Sequence, residues 1–134
     1  RSSDLDYFKQ IEVLKKETNT LFEKIESLFL LHFTLAKKMP NEMALILSPR
    51  PAKLNDPDNI YTKNTKQHKR WLKSYIGDCL KKGIDSGEFN PVQIKETTSI
   101  ILMMINEILQ KKDYKDSQAM RDSVINLWRR ILLP

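Results

Sequence analysis

The sequence predicts an all-α fold, with about six helices in an antiparallel bundle. Three observations carry this prediction. Apolar residues recur at helical spacing through most of the chain, set among Lys, Glu and Gln. Only three glycines occur in 134 residues, too few for a turn-rich β fold or a phosphate-binding loop. The stretch Ile84-Asp85-Ser86-Gly87-Glu88-Phe89-Asn90-Pro91 reads as the close of one long helix and the opening of the next. Here Gly87 suits a left-handed residue just past a helix end. Asn90 reads as an N-cap, Pro91 as the first helical residue and Gln93 as a capping-box partner. Phe89 and Ile94 fall at the positions of a hydrophobic staple.

The elements follow in order. Ser3 or Asp4 can cap a first helix over residues 4–18, with Leu5, Phe8 and Leu14 on its stripe. Thr20 and Glu23 form a capping box, so a second helix begins at Leu21. From Leu28 onward it is apolar nearly all round, as expected of a helix surrounded by others. Lys37 and Lys38 suit its C-terminal dipole and Pro40 ends it. A short helix over 41–47 and a proline-bearing loop over 48–56 follow. Asp56 caps and Pro57 starts a long helix ending near Ser86, roughly 40 Å in length. Tyr61, Thr65, His68, Leu72, Tyr75 or Ile76, Cys79, Leu80 and Ile84 mark its inner face, and Lys63, Lys66, Lys69, Lys73, Lys81 and Lys82 its outer one. The last two helices are expected over 91–111 and 115–133. Each carries apolar residues on more than one face, although a surface helix needs only one buried stripe. A second contact is therefore expected, most simply a two-fold homodimer.

Composition excludes several functions. The net charge of +6 is spread along helix faces, as on a solvated basic surface, whereas a nucleic-acid footprint would be clustered. The lone Cys79 rules out an internal disulfide framework and suits a reducing, cytoplasmic compartment. The longest apolar runs, 28–31 and 100–105, fall far short of a membrane span of about 20 residues. There is no His-Glu-x-x-His zinc helix, no Gly-x-Ser-x-Gly elbow and no Gly-rich phosphate loop, so neither an enzyme nor a cofactor is expected.

The segment Gly83-Ile84-Asp85-Ser86-Gly87-Glu88-Phe89-Asn90-Pro91 also resembles a corner in the C-terminal domain of TetR-family transcriptional regulators. There a long helix ends in a Gly-Glu-Phe turn before the dimerisation helices. Residues 20–47, a mixed apolar helix followed by a Met-Pro break and a short helix, fit the same order. The resemblance implies one ligand-binding and dimerisation domain over 1–134. Residues 1–18 would be the linker helix, and 91–134 the helices that build a four-helix bundle with a second copy. It implies an unidentified small-molecule effector in a pocket between the central helices. Binding would shift the linker helices and alter the spacing of two reading heads. The family's helix-turn-helix is absent from these residues, so DNA would be reached only through a missing N-terminal domain.

Candidate residues follow. Phe29, His32, Phe33, His68, Trp71 and Tyr75 are the expected ligand-pocket residues; each has a plainer reading as core or, for His68, as a solvent-edge side chain. Ile100, Met103, Met104, Glu107, Val124, Trp128 and Ile131 are the expected dimer contacts. Glu107 sits at the interface rim, in solvent, or buried against a cationic ligand. Cys79 reads as a small buried apolar residue. The main rival function is a helical protein-interaction module without a ligand pocket.

Overall fold

A computed structural model of the chain describes residue 9, residues 20–41, residue 43 and residues 60–134, with the backbone alone for 60–65. These residues are all-helical, in five helices: α1 (Leu21–Lys38), α2 (Ile60–Ser86), α3 (Ile94–Gln110), α4 (Lys112–Lys115) and α5 (Gln118–Leu132). The expected linker helix lies outside the described residues apart from Lys9, which is helical. The loop over 48–56 and the start of the long helix also lie outside them. Of the expected short helix, residues 41 and 43 are described and helical.

Helix α1 begins as its capping box predicts, with the Thr20 hydroxyl accepting from the Glu23 N–H at 3.1 Å. It is the central element. Phe22, Ile25, Leu28, Phe29, His32, Phe33, Leu35 and Ala36 are all buried. This wide stripe contacts α2, α3 and α5. Helix α5 packs on α1 through Trp128, whose ring meets Phe29 edge-on at 5.0 Å. Two cations brace the same junction. Arg121 lies over the Phe33 ring, and Arg129 lies over Phe22 while pairing with Glu26 at 3.7 Å.

The corner at 87–93 differs from its local reading. Gly87 does adopt the left-handed conformation, with φ of 83°. Helix α3, however, starts at Ile94, and Gln93 flanks it without a side-chain cap bond. Pro91 is therefore outside the helix, and Asn90 does not cap α3. Instead Asn90 closes the far end of the chain. Its N–H donates to the Leu132 carbonyl at 2.7 Å, and its Nδ2 donates to the Ile131 and Leu133 carbonyls at 3.2 Å each. These are carbonyls at the end of α5, left without helical partners.

Glu88 does the complementary work at an N-terminus. Its carboxylate accepts from the Leu21 N–H at 3.4 Å and the Phe22 N–H at 3.1 Å, in the positive first turn of α1. Between these two caps, Phe89 turns inward and is buried. Its N–H donates to the Gly83 carbonyl at 2.9 Å. A Cβ on Gly83 would meet the Phe89 ring at 2.1 Å. Gly83 is thus required by contact and Gly87 by its backbone angle.

The last helix is also re-punctuated. A single turn, α4, precedes it, and Ser117 caps α5 by accepting from the Met120 N–H at 3.1 Å. Gly83→Ala should lower stability by about 2 kcal/mol, because the ring cannot yield without opening the corner. Glu88→Ala should lower it by about 1 kcal/mol through loss of the α1 cap. Urea denaturation measures both; a neutral Gly83→Ala would refute the packing of Phe89 against residue 83.

Candidate functional site

The expected ligand residues form a buried set on α1, a stacked pair on α2, and His68, which meets His32. Phe29 and Phe33 form an edge-to-face pair at 4.9 Å and lie fully within the core. Outside α1 they meet α5, Phe29 through Trp128 and Phe33 through Arg121. His32 is 0% exposed and lies in the core. Its Nδ1–H donates to the Leu28 carbonyl at 2.8 Å, which satisfies a polar group that burial would otherwise penalise. Trp71 and Tyr75 stack on one face of α2 at 5.0 Å. Tyr75 borders a small polar cleft with Leu21, Lys24, Asp78, Cys79 and Lys82, away from the phenylalanines.

His68 is the exception. It is buried, with its ring 5.6 Å from that of His32. It also lines a cleft of about 280 Å³ between α2 and α3. The other walls are Lys69, Leu72 and Lys73 from α2, and Ser99, Leu102, Met103, Ile105 and Asn106 from α3. Helical spacing explains this set. Residues 68, 69, 72 and 73 repeat at three and four, as do 99, 102, 103 and 106. The sequence reading had placed Lys69 and Lys73 on a purely outer face. The sequence signal for this cleft was Asn106, a polar residue interrupting the apolar run of α3.

The expected dimer contacts divide more cleanly. Ile100, Met103, Met104, Glu107 and Val124 line one open groove of about 370 Å³ between α3 and α5, together with Ile108, Met120, Ser123 and Leu127. Ile100 is 51% exposed, Met103 62%, Leu127 49% and Ile131 54%, high values for large apolar side chains. Ile131 lies one turn beyond Leu127 on α5. Two residues need correction. Trp128 is 3% exposed and belongs to the protomer core, where its indole N–H points at the Met104 sulfur at 3.5 Å. Val124 is also buried and forms only the groove floor. Glu107 is exposed and pairs with Lys111 at 2.6 Å, one turn away, so it is not a buried counter-ion. Leu127 lines the same groove and is exposed, although it was not among the expected contacts.

Burial also sets the titration behaviour. The Cys79 thiol is pushed up to about 11, chiefly by burial, against the pull of Lys24 and Lys82. Burial lowers His32 below its ordinary 6.5, against the raising effect of the Leu28 bond. It lowers His68 to about 4, with help from the Lys69 charge. Both histidines are therefore neutral at pH 7, and the positive charge of the cleft comes from Lys69 and Lys73. Among the described residues, no helix is long and apolar enough to cross a membrane.

Comparisons with protein-family models, with curated proteins and with solved structures each returned no match. The likeness to TetR-family regulators therefore rests on the residues of the chain itself.

Two outcomes are expected from the buried titratable groups. Unfolded histidines protonate near 6.5, whereas folded His68 does so only near 4. The unfolded state binds more protons within that window, so stability is full above it and falls as pH drops through it. Urea midpoints should be flat above pH 7 and should record a loss of roughly 2 kcal/mol from His68 between pH 7 and pH 5. A flat profile from pH 7 to pH 5 would mean that His68 is solvated. Cys79 should resist thiol reagents at pH 8 until denaturant is added; prompt labelling of the native protein would contradict its burial.

Proposed function

We propose that this chain is the effector-sensing and dimerisation part of a TetR-like transcriptional regulator, acting on DNA only through a separate helix-turn-helix domain. The observation that carries the reading is the apolar groove of α3 and α5, adjoining the α2–α3 cleft along one shared side chain. Met103 lines both. A ligand in the cleft would touch the same side chain that a partner subunit would cover.

The occupant of the groove is a second copy of the chain. Ile100 and Met103 on α3 lie beside Leu127 on α5, and Ile131 continues the row. Two-fold pairing would set each row against its own image, giving a four-helix bundle with an apolar seam. Glu107 and Lys111 at the rim stay solvated, which suits the edge of an interface better than its centre. The effector's seat is the α2–α3 cleft, whose walls are mostly apolar and which His68 lines, whereas Phe29, His32 and Phe33 are buried in the protomer core. Sensing then requires that the ligand prefer one packing of α3 over another, because equal affinity for both would shift nothing.

That same filled core supports a second reading, a helical protein-interaction module that uses the α3–α5 groove and takes no ligand. Both readings need the groove; only the first needs the cleft.

Sedimentation velocity at tens of micromolar should show a dimer. Leu127→Glu with Ile131→Glu should give a monomer with unchanged helical circular dichroism, since neither side chain supports the protomer core. A monomeric parent protein, or a variant that remains dimeric, would refute pairing through this face.

A further inference from the structure

We infer that the α2–α3 cleft binds a small amphipathic anion: an apolar body that ends in a carboxylate. This inference rests on the reading of the cleft as the effector's seat and adds the chemistry of the occupant. The walls are mostly apolar, with Leu72 facing Leu102, Met103 and Ile105. Such walls favour an occupant that removes aliphatic surface from water. At about 280 Å³ the cleft lies at the small end of ligand pockets, which suits a short chain or a single ring.

The charge at the mouth is one-sided. Lys69 and Lys73 stand one turn apart on α2, both exposed, and among the described residues no carboxylate lines the cleft. Their aliphatic stems can extend the apolar wall while the ammonium groups meet an anion at the rim. The buried His68 does not compete as a cation, because it stays neutral down to about pH 4. Glu107, the acidic side chain on the neighbouring face of α3, is held by Lys111 in the opposite groove. A neutral amphiphile would fill the apolar part and leave both ammonium groups without a counter-ion. A cationic one would face repulsion at the rim. An acid with an apolar tail satisfies both parts, and its headgroup contacts are charge-assisted.

Isothermal titration calorimetry on the whole chain tests this with octanoate and its uncharged analogue octanamide, in low-salt buffer. Octanoate should bind once per chain, about tenfold or more tighter than octanamide. Lys69→Gln with Lys73→Gln should erase that preference and leave the octanamide affinity unchanged, an outcome that a general loss of folding would not produce. Added salt should weaken octanoate alone. Equal binding of the two probes to the parent chain, or an undiminished preference in the double variant, would overturn the anion assignment while keeping the cleft as a ligand seat. Failure of both probes to bind would overturn the seat as well. Sedimentation of the same samples reports the dimer independently.

Discussion

The Phe89 ring occupies the place where a side chain of residue 83 would stand. The chain can fold back at Gly87 only because that place is empty, and two further contacts follow from the fold-back. Glu88 is brought to the first turn of α1, 66 and 67 residues away in sequence from its partners. Asn90 is brought to the last carbonyls of α5, 41 and 43 residues away. One turn of chain thus ties the end of α2 to the start of α1 and the end of α5. Each tie satisfies backbone groups that helices leave unpaired at their ends. The ties therefore align elements, and do not merely add contacts.

With those ends fixed, the sides of the helices have little choice. α1 must be apolar nearly all round because α2, α3 and α5 surround it. α5 can place Trp128 against Phe29 because its C-terminus is held. Among the described residues, the buried polar side chains are His32, His68 and Thr98. His32 donates to its own helix, one turn back. Arginines from α5 lie on aromatic faces and so cover apolar surface while their charges stay near solvent. Among the described residues, the outer row on α3 and α5 stays exposed.

Much of this was legible from periodicity. The described helices follow the sequence reading closely, and the Thr20 cap was read correctly. Local capping rules failed at Asn90 for a definite reason. An asparagine before a proline is a good N-cap, but its amide is also an excellent donor, and the nearest unsatisfied carbonyls belonged to another helix. Glu88 was unreadable for the same reason, since both of its partners lie far along the chain. Trp128 and Leu127 show the limit of stripe counting. They are adjacent on a helix with two apolar faces, and sequence does not say which face is inside. The aromatic pair on α1 was open to two readings, pocket wall or core, because large rings at helical spacing suit either, and the structure buries both. The α2–α3 cleft was obscured because its lysines looked like part of a uniformly solvated face.

The position of α3 gives the proposed sensing role its physical content. Its N-terminal end follows the corner closely and is constrained by the ties at Glu88, Phe89 and Asn90. Its C-terminal half carries the cleft residues Leu102, Ile105 and Asn106 on one side and the groove residues Met104, Glu107 and Ile108 on the other, with Met103 on both. A helix held at one end and contacted near the other moves most where it is contacted. A ligand wedged against Leu102 and Ile105 would displace the half of α3 that a second subunit would cover in the proposed dimer, while leaving the corner and the α1 core in place. Methionine suits such a shared wall, because an unbranched thioether can repack on either side at small cost. Coupling through Met103 and Met104 would be reciprocal, as any linkage between two binding sites must be. A dimer that changes the affinity of the cleft and a ligand that changes the dimer are then two measurements of one free energy.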